Sequence, residues 1–179
     1  IHFDILDDRK FALKVINYLN NWATLLGYLF CNCTPSCERL KNCWFGWADD
    51  ERRVPHPFWF SSWTHLEDYF YSIPMLIKKE EDKWLPANVS DCHIRDIHES
   101  TIWWFVRPRW SYGTIEIRML DAISPYMICQ VVLKFIKLLR IIKKEENLPK
   151  ISSSLWWHLL KGELNFYHYA KPILALVLM

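Results

Sequence analysis

Glycine is scarce in this sequence, with only four among 179 residues. Neither G-x-x-x-x-G-K-[ST] nor G-x-G-x-x-G occurs, so both of the common glycine-rich loops that cradle phosphate groups are absent. A nucleotide ligand would therefore have to be held by the face of a β-sheet, with arginines and a metal ion binding its phosphates.

Long apolar runs and a secretory leader are lacking as well. No run is long enough to span a bilayer, and the first residues do not show the pattern of a signal peptide. The net charge of +2 is close to neutral, which is not typical of a nucleic-acid-binding protein. We therefore expect a cytoplasmic protein with no membrane partner and no nucleic-acid partner, whose six cysteines are reduced thiols.

The sequence does contain enough apolar material for a core. Hydrophobic residues make up 51% and charged residues 23%, which is typical of globular proteins. The length predicts a single domain that spans residues 1–179. Because the opening IHFDI alternates as a strand does, we expect its sheet to continue beyond this chain, through a homo-oligomer or an N-terminal half that is missing here.

The stretch Ile102–Asp121, IWWFVRPRWSYGTIEIRMLD, predicts a β-hairpin. Two runs rich in β-branched and aromatic residues, 102–106 and 114–120, favour strands. The segment Pro108–Gly113 between them contains the residues that turns prefer.

Alternation along these strands brings charged groups to one face of the predicted sheet. Glu116 and Arg118 share a side of the second strand with Thr114 and Leu120, and Arg107 shares a side of the first with Trp103 and Phe105. Most other side chains of the hairpin are apolar, so these charges must pair with one another or meet a ligand. Both interpretations, a structural ion pair of Glu116 with an arginine and a functional site, remain open at this point.

The stretch WWFVRPRWSYGTIEIRMLD resembles the signature WWD-x-RP…GT-x-E-x-R-x-x-D of the glutamate–cysteine ligase type 2 (carboxylate–amine ligase) family. The residues RP, GT, E, R and D all fall at the expected offsets. The resemblance implies an α+β fold with a curved antiparallel sheet, related to that of glutamine synthetase, and helices packed on one face. It also implies ATP-dependent formation of an amide at the γ-carboxyl of glutamate through an acyl phosphate, the chemistry of glutathione biosynthesis.

The resemblance extends along almost the whole chain, from His2 to about Lys171, and corresponds to the C-terminal part of a family member. The opening IHFDILDDRKFALKV is similar to the VHVG-x-x-D segment of the family, and His2 matches its histidine. The segment CNCTPSCERLKN resembles a loop and helix of the family, with matches at Asn32, Pro35 and Arg39.

Carried over residue by residue, the resemblance implies ATP and Mg²⁺ as cofactors, with glutamate and an amine such as cysteine as substrates. Glu116 and His2 are the implied metal ligands. Arg107 and Arg118 are the implied catalytic residues, because they would bind phosphate and the substrate carboxylate. The implied nucleotide contacts are Arg39, Arg118 and Thr114.

The sequence departs from the family pattern at three places. Phe105 stands where the family has an acidic residue, and the glycine-containing connection after Pro35 is deleted. The G-x-E-x-E strand, whose carboxylates bind magnesium in the family, would lie upstream of this chain. These departures favour an alternative, a degenerate non-catalytic relative that acts as a scaffold or partner-binding module.

Apolar residues at helical spacing predict three helices and a fourth helix that closes the chain. The helices are expected at about 9–30, 58–79 and 126–146, and Pro74 is expected to end or kink the second of them. The closing helix in the tail is expected to end at Pro172. Ser61 or Ser62 is expected to cap the second of them, and Thr64-x-x-Glu67 is a candidate capping box. The charged run Lys78–Lys83 is expected to be solvated surface.

Cysteine and histidine spacing does not favour a zinc site. Four cysteines have the spacing C-x-C-x3-C-x5-C, which is not a standard pair of zinc clamps, so we expect free thiols rather than a metal-binding module; they are Cys31, Cys33, Cys37 and Cys43. His93 and His98 fit no metalloprotease or zinc-finger spacing, and a solvated connection is expected there.

Overall fold

The computed structural model describes residues 1–30, 51–74, 76–80, 83–86, 99, 101–118, 125–161, 171–173 and 175–176. These residues form an α+β structure in which helices accompany a small three-stranded antiparallel sheet, in agreement with the expected fold class. The strands are β1 (His2–Asp4), β2 (Leu76–Glu80), β3 (Lys83–Pro86), β4 (Val106–Arg109) and β5 (Thr114–Ile117). The helices are α1 (Arg9–Asn21), α2 (Ala23–Phe30), α3 (Trp63–Ser72), α4 (Pro125–Lys144) and α5 (Ser153–Lys161).

The predicted hairpin is present as β4 and β5, which pair antiparallel, and β1 adds to β5 to give the order β1-β5-β4. Our bounds for the first strand, 102–106, were wrong. Trp103 donates its backbone N–H to the carbonyl of Arg53 at 2.7 Å, so the chain there is bonded to another segment and the strand begins only at Val106. The strand therefore includes Pro108, which we had placed in the turn.

The turn itself is a short 3₁₀ helix, Trp110–Tyr112, closed by Gly113. Gly113 has a φ of 66°, in the left-handed region that a residue without Cβ enters at little cost. This conformation lets the chain reverse direction and begin β5 at the next residue.

The single helix predicted over 9–30 is two helices, α1 and α2, which meet at Trp22. At this junction the N–H of Trp22 donates to the carbonyls of Tyr18 and Asn20, and the carbonyl of Asn20 also accepts from the indole Nε1 of Trp156 at 3.0 Å. Asp8 caps α1, because its carboxylate accepts from the N–H of Phe11.

The helix predicted over 58–79 is shorter than expected. The Ser62 hydroxyl accepts from the N–H of His65 and caps α3, as we predicted, and the helix ends at Ser72 shortly before Pro74. The candidate capping box does not form, because Glu67 accepts from the indole of Trp63 instead. Residues 76–80 and 83–86, which we had divided between the end of this helix and a solvated run, form the hairpin of β2 and β3.

The helix predicted over 126–146 is confirmed as α4. In the tail, α5 ends at Lys161, and residues 162–170 of the predicted closing helix lie outside the described part of the chain.

The core lies between the apolar face of the sheet and the helices, and α1 is at its centre. Helix α1 packs against α2, α3, α4 and β4. The largest fully buried side chains of the core include three tryptophans and two phenylalanines from different parts of the chain: Trp22, Trp104, Trp156, Phe70 and Phe135.

Three buried asparagines of α1 fasten three other segments to this helix. Each carboxamide donates to the carbonyl and accepts from the N–H of one residue, at 2.7–3.0 Å, as a neighbouring β-strand would. The pairs are Asn17 with Phe60, Asn20 with Val106, and Asn21 with Ile151. The second pair fixes β4, the strand that carries Arg107.

Candidate functional site

One face of the three-stranded sheet carries nearly all of its polar residues, and we call it the polar face. His2, Glu116 and Arg107 are consecutive cross-strand partners on β1, β5 and β4. Because residues directly opposite one another in a sheet share a face, these three side chains form one row across the strands. A second row consists of Asp4, Thr114 and Arg109.

The opposite face of the sheet is apolar. Phe3, Ile115 and Pro108 form one row there, and Ile117 faces Val106 in the next. Ile115, Ile117 and Val106 are buried in the core, which fixes the register, since a shift of one residue would turn the charged rows inward.

Glu116 lies at the centre of the polar face. Its Oε2 is 2.7 Å from Nε of Arg107, while its Oε1 is 3.7 Å from Nε of Arg118 and 3.9 Å from Nε2 of His2. The structure thus brings together four of the predicted site residues around one carboxylate.

Solvent reaches these groups unequally. The side chain of Arg107 is 4% exposed, that of Glu116 18%, that of Arg118 26% and that of His2 47%. Arg107 also donates through Nη1 to the carbonyls of Glu99 and Ile102. A ligand arriving from solvent would therefore meet His2, Glu116 and Arg118, with Arg107 behind them.

Thr114 supports His2 rather than the arginines. The Thr114 hydroxyl and His2 Nδ1 are 2.9 Å apart, within hydrogen-bond distance. The ring of Tyr112 approaches the imidazole edge-on, at 6.5 Å between centroids. These contacts direct the Nε2 side of the imidazole toward Glu116.

A second charged group, which the sequence analysis did not identify, adjoins the first. Glu99 is completely buried; its carboxylate lies 3.3 Å from Nε of Arg109 and accepts from the hydroxyl of Ser111 at 2.8 Å. The guanidinium of Arg109 also lies over the ring of Tyr112, at 4.9 Å. The R-x-R spacing on one strand was the signal that could have revealed Arg109, whereas nothing in the sequence marks Glu99.

The arginines set the charge state of Glu116. Burial alone would raise its pKa, but the charge of Arg107 and the hydrogen bond from it, with Arg118 and His2 adding to them, leave the pKa below its ordinary value. Burial, together with the nearby charge of Arg118, lowers the pKa of Arg107 to about 10, so this group remains cationic at neutral pH.

Burial also affects the pKa values of the two more exposed groups, His2 and Arg118. It lowers the pKa of His2, with Glu116 opposing the shift and the arginines reinforcing it, so the imidazole is neutral at pH 7. Burial lowers the pKa of Arg118 too, although Glu116 opposes that shift. The ion-paired groups are three guanidiniums and two carboxylates, and the exposed carboxylate of Asp4 on the same face brings the formal charges into balance.

This donor set fits an oxyanion better than a resident metal ion. Within the described ranges, no group of three or more His, Cys, Asp or Glu side chains is placed to hold a metal. Glu116 and His2 are the two candidate ligands, and one oxygen of Glu116 is already bonded to Arg107. Mg²⁺ is often held by one or two carboxylates together with substrate phosphates, so a magnesium ion carried by a nucleotide is compatible with Glu116.

Several residues from the sequence analysis lie outside the part of the chain that the structure describes. They are Arg39, the cysteines Cys31, Cys33, Cys37 and Cys43, the histidines His93 and His98, and Asp121. Phe105 is described, and it is buried in the core with its ring 6.0 Å from that of Trp156. A phenylalanine at the position where the resembled family has an acid therefore contributes to packing.

Comparison with known proteins returned no match, whether to a protein-family model, to a curated protein or to a solved structure. Among the described residues, no helix combines the length and the apolar character needed to cross a bilayer.

Proposed function

We propose that this protein is a glutamate–cysteine ligase-like carboxylate–amine ligase of the cytoplasm, which uses ATP and Mg²⁺ to form an amide at the γ-carboxyl of glutamate. The observation that carries the proposal is the convergence of Glu116, Arg107, Arg118 and His2 on one partly open sheet face. The hairpin that supplies three of them is the same stretch that resembles the ligase family. We also propose that the sheet has the curved form that is found in glutamine synthetase.

Amide formation from a carboxylate needs an activated carboxyl group. An oxygen of the substrate carboxylate attacks the γ-phosphorus of ATP, which forms an acyl phosphate and releases ADP. The amine nitrogen then attacks the acyl carbon, and inorganic phosphate leaves as the amide forms. Both steps move negative charge over phosphate oxygens, which cations held in place by the protein stabilise.

Arg118 is the arginine that we assign to contact with these oxygens, because its side chain is more exposed than that of Arg107 and its Nε lies 3.7 Å from Glu116 rather than 2.7 Å. Its Nη1 donates to the carbonyl of Ile102 at 3.2 Å, which orients the guanidinium. Arg107 is assigned to hold Glu116 in position, since its Nε and Nη1 already donate to protein acceptors. Bound with the nucleotide, Mg²⁺ would neutralise phosphate charge, and Glu116 and His2 are the residues that would contact it.

Isothermal titration of the purified chain with Mg-ATP tests the proposal. We expect Arg118→Ala and Glu116→Gln each to weaken binding about tenfold or more, the loss expected for one charged contact. Glu146→Gln, which alters an exposed glutamate beyond α4, is the matched control and should bind as the wild type does. Failure of the wild type to bind Mg-ATP, or binding that neither variant changes, would refute the proposal.

The second candidate function is that of a non-catalytic relative whose sheet acts as a scaffold. Two observations favour it: Phe105 is a core residue where the family has an acid, and the Glu116 carboxylate is satisfied internally by Arg107. Phosphate release from ATP in the presence of glutamate and a panel of amines separates the two candidates. The ligase must release phosphate only when both substrates are present, whereas the scaffold must release none.

A further inference from the structure

The two outer edges of the three-stranded sheet differ in whether their backbone N–H and C=O groups can pair with another strand. On β4, Val106 has its N–H and C=O bonded to the side chain of Asn20 at 3.0 and 2.7 Å. The next residue with the same orientation is Pro108, which has no N–H. The outer edge of β4 is therefore closed to another strand.

The outer edge of β1, by contrast, has no partner strand among the described residues. Ile1 and Ile117 exchange hydrogen bonds of 2.7 and 3.0 Å, so Ile1 is a hydrogen-bonded partner of β5. Antiparallel pairing alternates, which directs the N–H and C=O of His2 and Asp4 away from β5. Within the described chain no hydrogen bond reaches these outward groups, and both residues are exposed.

The sequence of this edge is complementary to itself. If two copies of β1 pair antiparallel with Phe3 opposite Phe3, then each His2 faces the Asp4 of the other copy. His2 and Asp4 are the residues whose backbone groups point outward, so this register forms four inter-copy hydrogen bonds. Imidazole meets carboxylate on the polar face, while phenylalanine meets phenylalanine on the other, and both are favourable cross-strand pairs.

The apolar side of the edge also lacks full cover. Ile1, Phe3 and Ile5 pack against the core but remain only partly buried. In the same register Ile1 lies opposite Ile5 of the second copy, so pairing covers all three. Charged side chains usually protect a short edge strand from pairing. In this register the Asp4 carboxylate faces an imidazole rather than another carboxylate, so like charges do not meet.

We propose that the outer edge of β1 is an interface at which a second copy of this chain pairs antiparallel, Phe3 opposite Phe3, to give a continuous six-stranded sheet. Residues directly opposite each other in an antiparallel pair point to the same side of the sheet, so the polar faces of the two copies form one continuous surface. The Asp4 carboxylate of the second copy then lies beside His2, next to Glu116. The dimer thereby places a further carboxylate oxygen beside Glu116 and His2, the two candidate metal ligands of one copy.

Sedimentation equilibrium of the 179-residue chain, from about 1 µM to about 1 mM, covers the range of weak association. We expect the wild type to approach twice the chain mass. Asp4→Pro removes one outward N–H and leaves the ladder to β5 intact, so it should raise the dimer dissociation constant at least tenfold while circular dichroism stays unchanged. Asp4→Asn keeps the N–H and should raise it less than Asp4→Pro does. A monomeric wild type, or an Asp4→Pro chain that dimerises as the wild type does, overturns the proposal.

A mixing experiment tests the register separately. Alone, His2→Asp places carboxylates opposite each other and should be monomeric. Alone, Asp4→Lys replaces the imidazole–carboxylate pair by a lysine opposite a neutral imidazole, so it should dimerise more weakly than the wild type. Mixed, the lysine of one faces the new aspartate of the other, and His2 faces Asp4, so a heterodimer should form. Folded variants that do not associate on mixing, or that dimerise alone as strongly as the wild type, would show that this register is wrong.

Discussion

Among individual residues, Arg107 and Glu116 depend on each other most directly. Replacing Arg107 by Met removes the 2.7 Å partner of the Glu116 carboxylate, which is partly buried. The carbonyl of Glu99 also loses its bond to Arg107, whereas that of Ile102 keeps the bond from Arg118. We expect a loss of about 3 kcal/mol in the free energy of unfolding, measured by urea titration, since breaking a buried pair costs more than the pair contributes. Arg140→Met, at an exposed position of α4, should change it by less than about 0.5 kcal/mol. A loss no larger than that of the control would mean that the pair is not formed in solution.

The lowered pKa of Glu116 predicts how acid affects the fold. Its pKa is below the ordinary value of 4.5 in the folded chain, so the unfolded chain binds this proton more readily. The stabilisation from the ionised carboxylate is therefore complete above the unfolded pKa and is lost as the pH falls through the folded pKa. Urea titrations between pH 7 and pH 2 should show the difference between wild type and Glu116→Gln narrowing below pH 4.5. Asn147→Ala, which changes no titrating group, should run parallel to the wild type; an equally parallel Glu116→Gln curve would contradict the predicted shift.

The sequence could predict which side chains share the polar face, because alternation along a strand is set by backbone geometry alone. Thr114 and Glu116 lie on one side of β5 and Ile115 and Ile117 on the other, as expected. Glu99 could not be predicted, because its place beside Arg109 depends on the path of the chain before β4. The local sequence pattern therefore predicts which residues share a face, whereas the path of the chain in the folded protein determines which charged groups meet there.

Among the elements, β4 depends on α1 through the carboxamide of Asn20. Asn20→Ala leaves the N–H and C=O of Val106 buried without partners, and each such group costs about 1–3 kcal/mol. We expect the free energy of unfolding to fall by about 2–4 kcal/mol, measured by urea titration. Asn147→Ala removes an exposed asparagine and should change it by less than about 0.5 kcal/mol. If Asn20→Ala were as mild as this control, solvent would have to reach Val106, and the closed edge of β4 would be disproved.

Element types were easier to predict than their ends. Periodicity identified the helices, but it continued through Trp22 and Ile73, where the helices end. At Trp22, where α1 ends, the Asn20 carbonyl bonds to Trp156, a contact between residues 136 positions apart. At Ile73 the helix ends next to Pro74, the residue that the sequence predicted would end or kink it. The long-range hydrogen bond from Trp156, by contrast, cannot be predicted from the spacing of apolar residues along the chain.

For the whole molecule, the three asparagines of α1 connect segments that lie far apart in the sequence. Residues 60, 106 and 151 are each bonded to this one helix, and the indole of Trp156 bonds to it as well. Loss of any one connection therefore weakens a core that the other segments share. This arrangement predicts that the segments around α1 fold as one cooperative unit, as the length of the chain also suggested.

Urea unfolding followed by two probes tests this prediction. Tryptophan fluorescence reports on the buried indoles, and far-ultraviolet circular dichroism reports on all the helices, so the two curves must coincide for a single unit. Asn17→Ala, Asn20→Ala and Asn21→Ala should each lower the midpoint of both curves together and leave the slope unchanged. Asn21→Ala is the sharpest of the three, because its partner Ile151 immediately precedes α5. Should that variant split the two curves, α5 and its linker would form a separate unit, and the prediction of a single domain over residues 1–179 would be wrong.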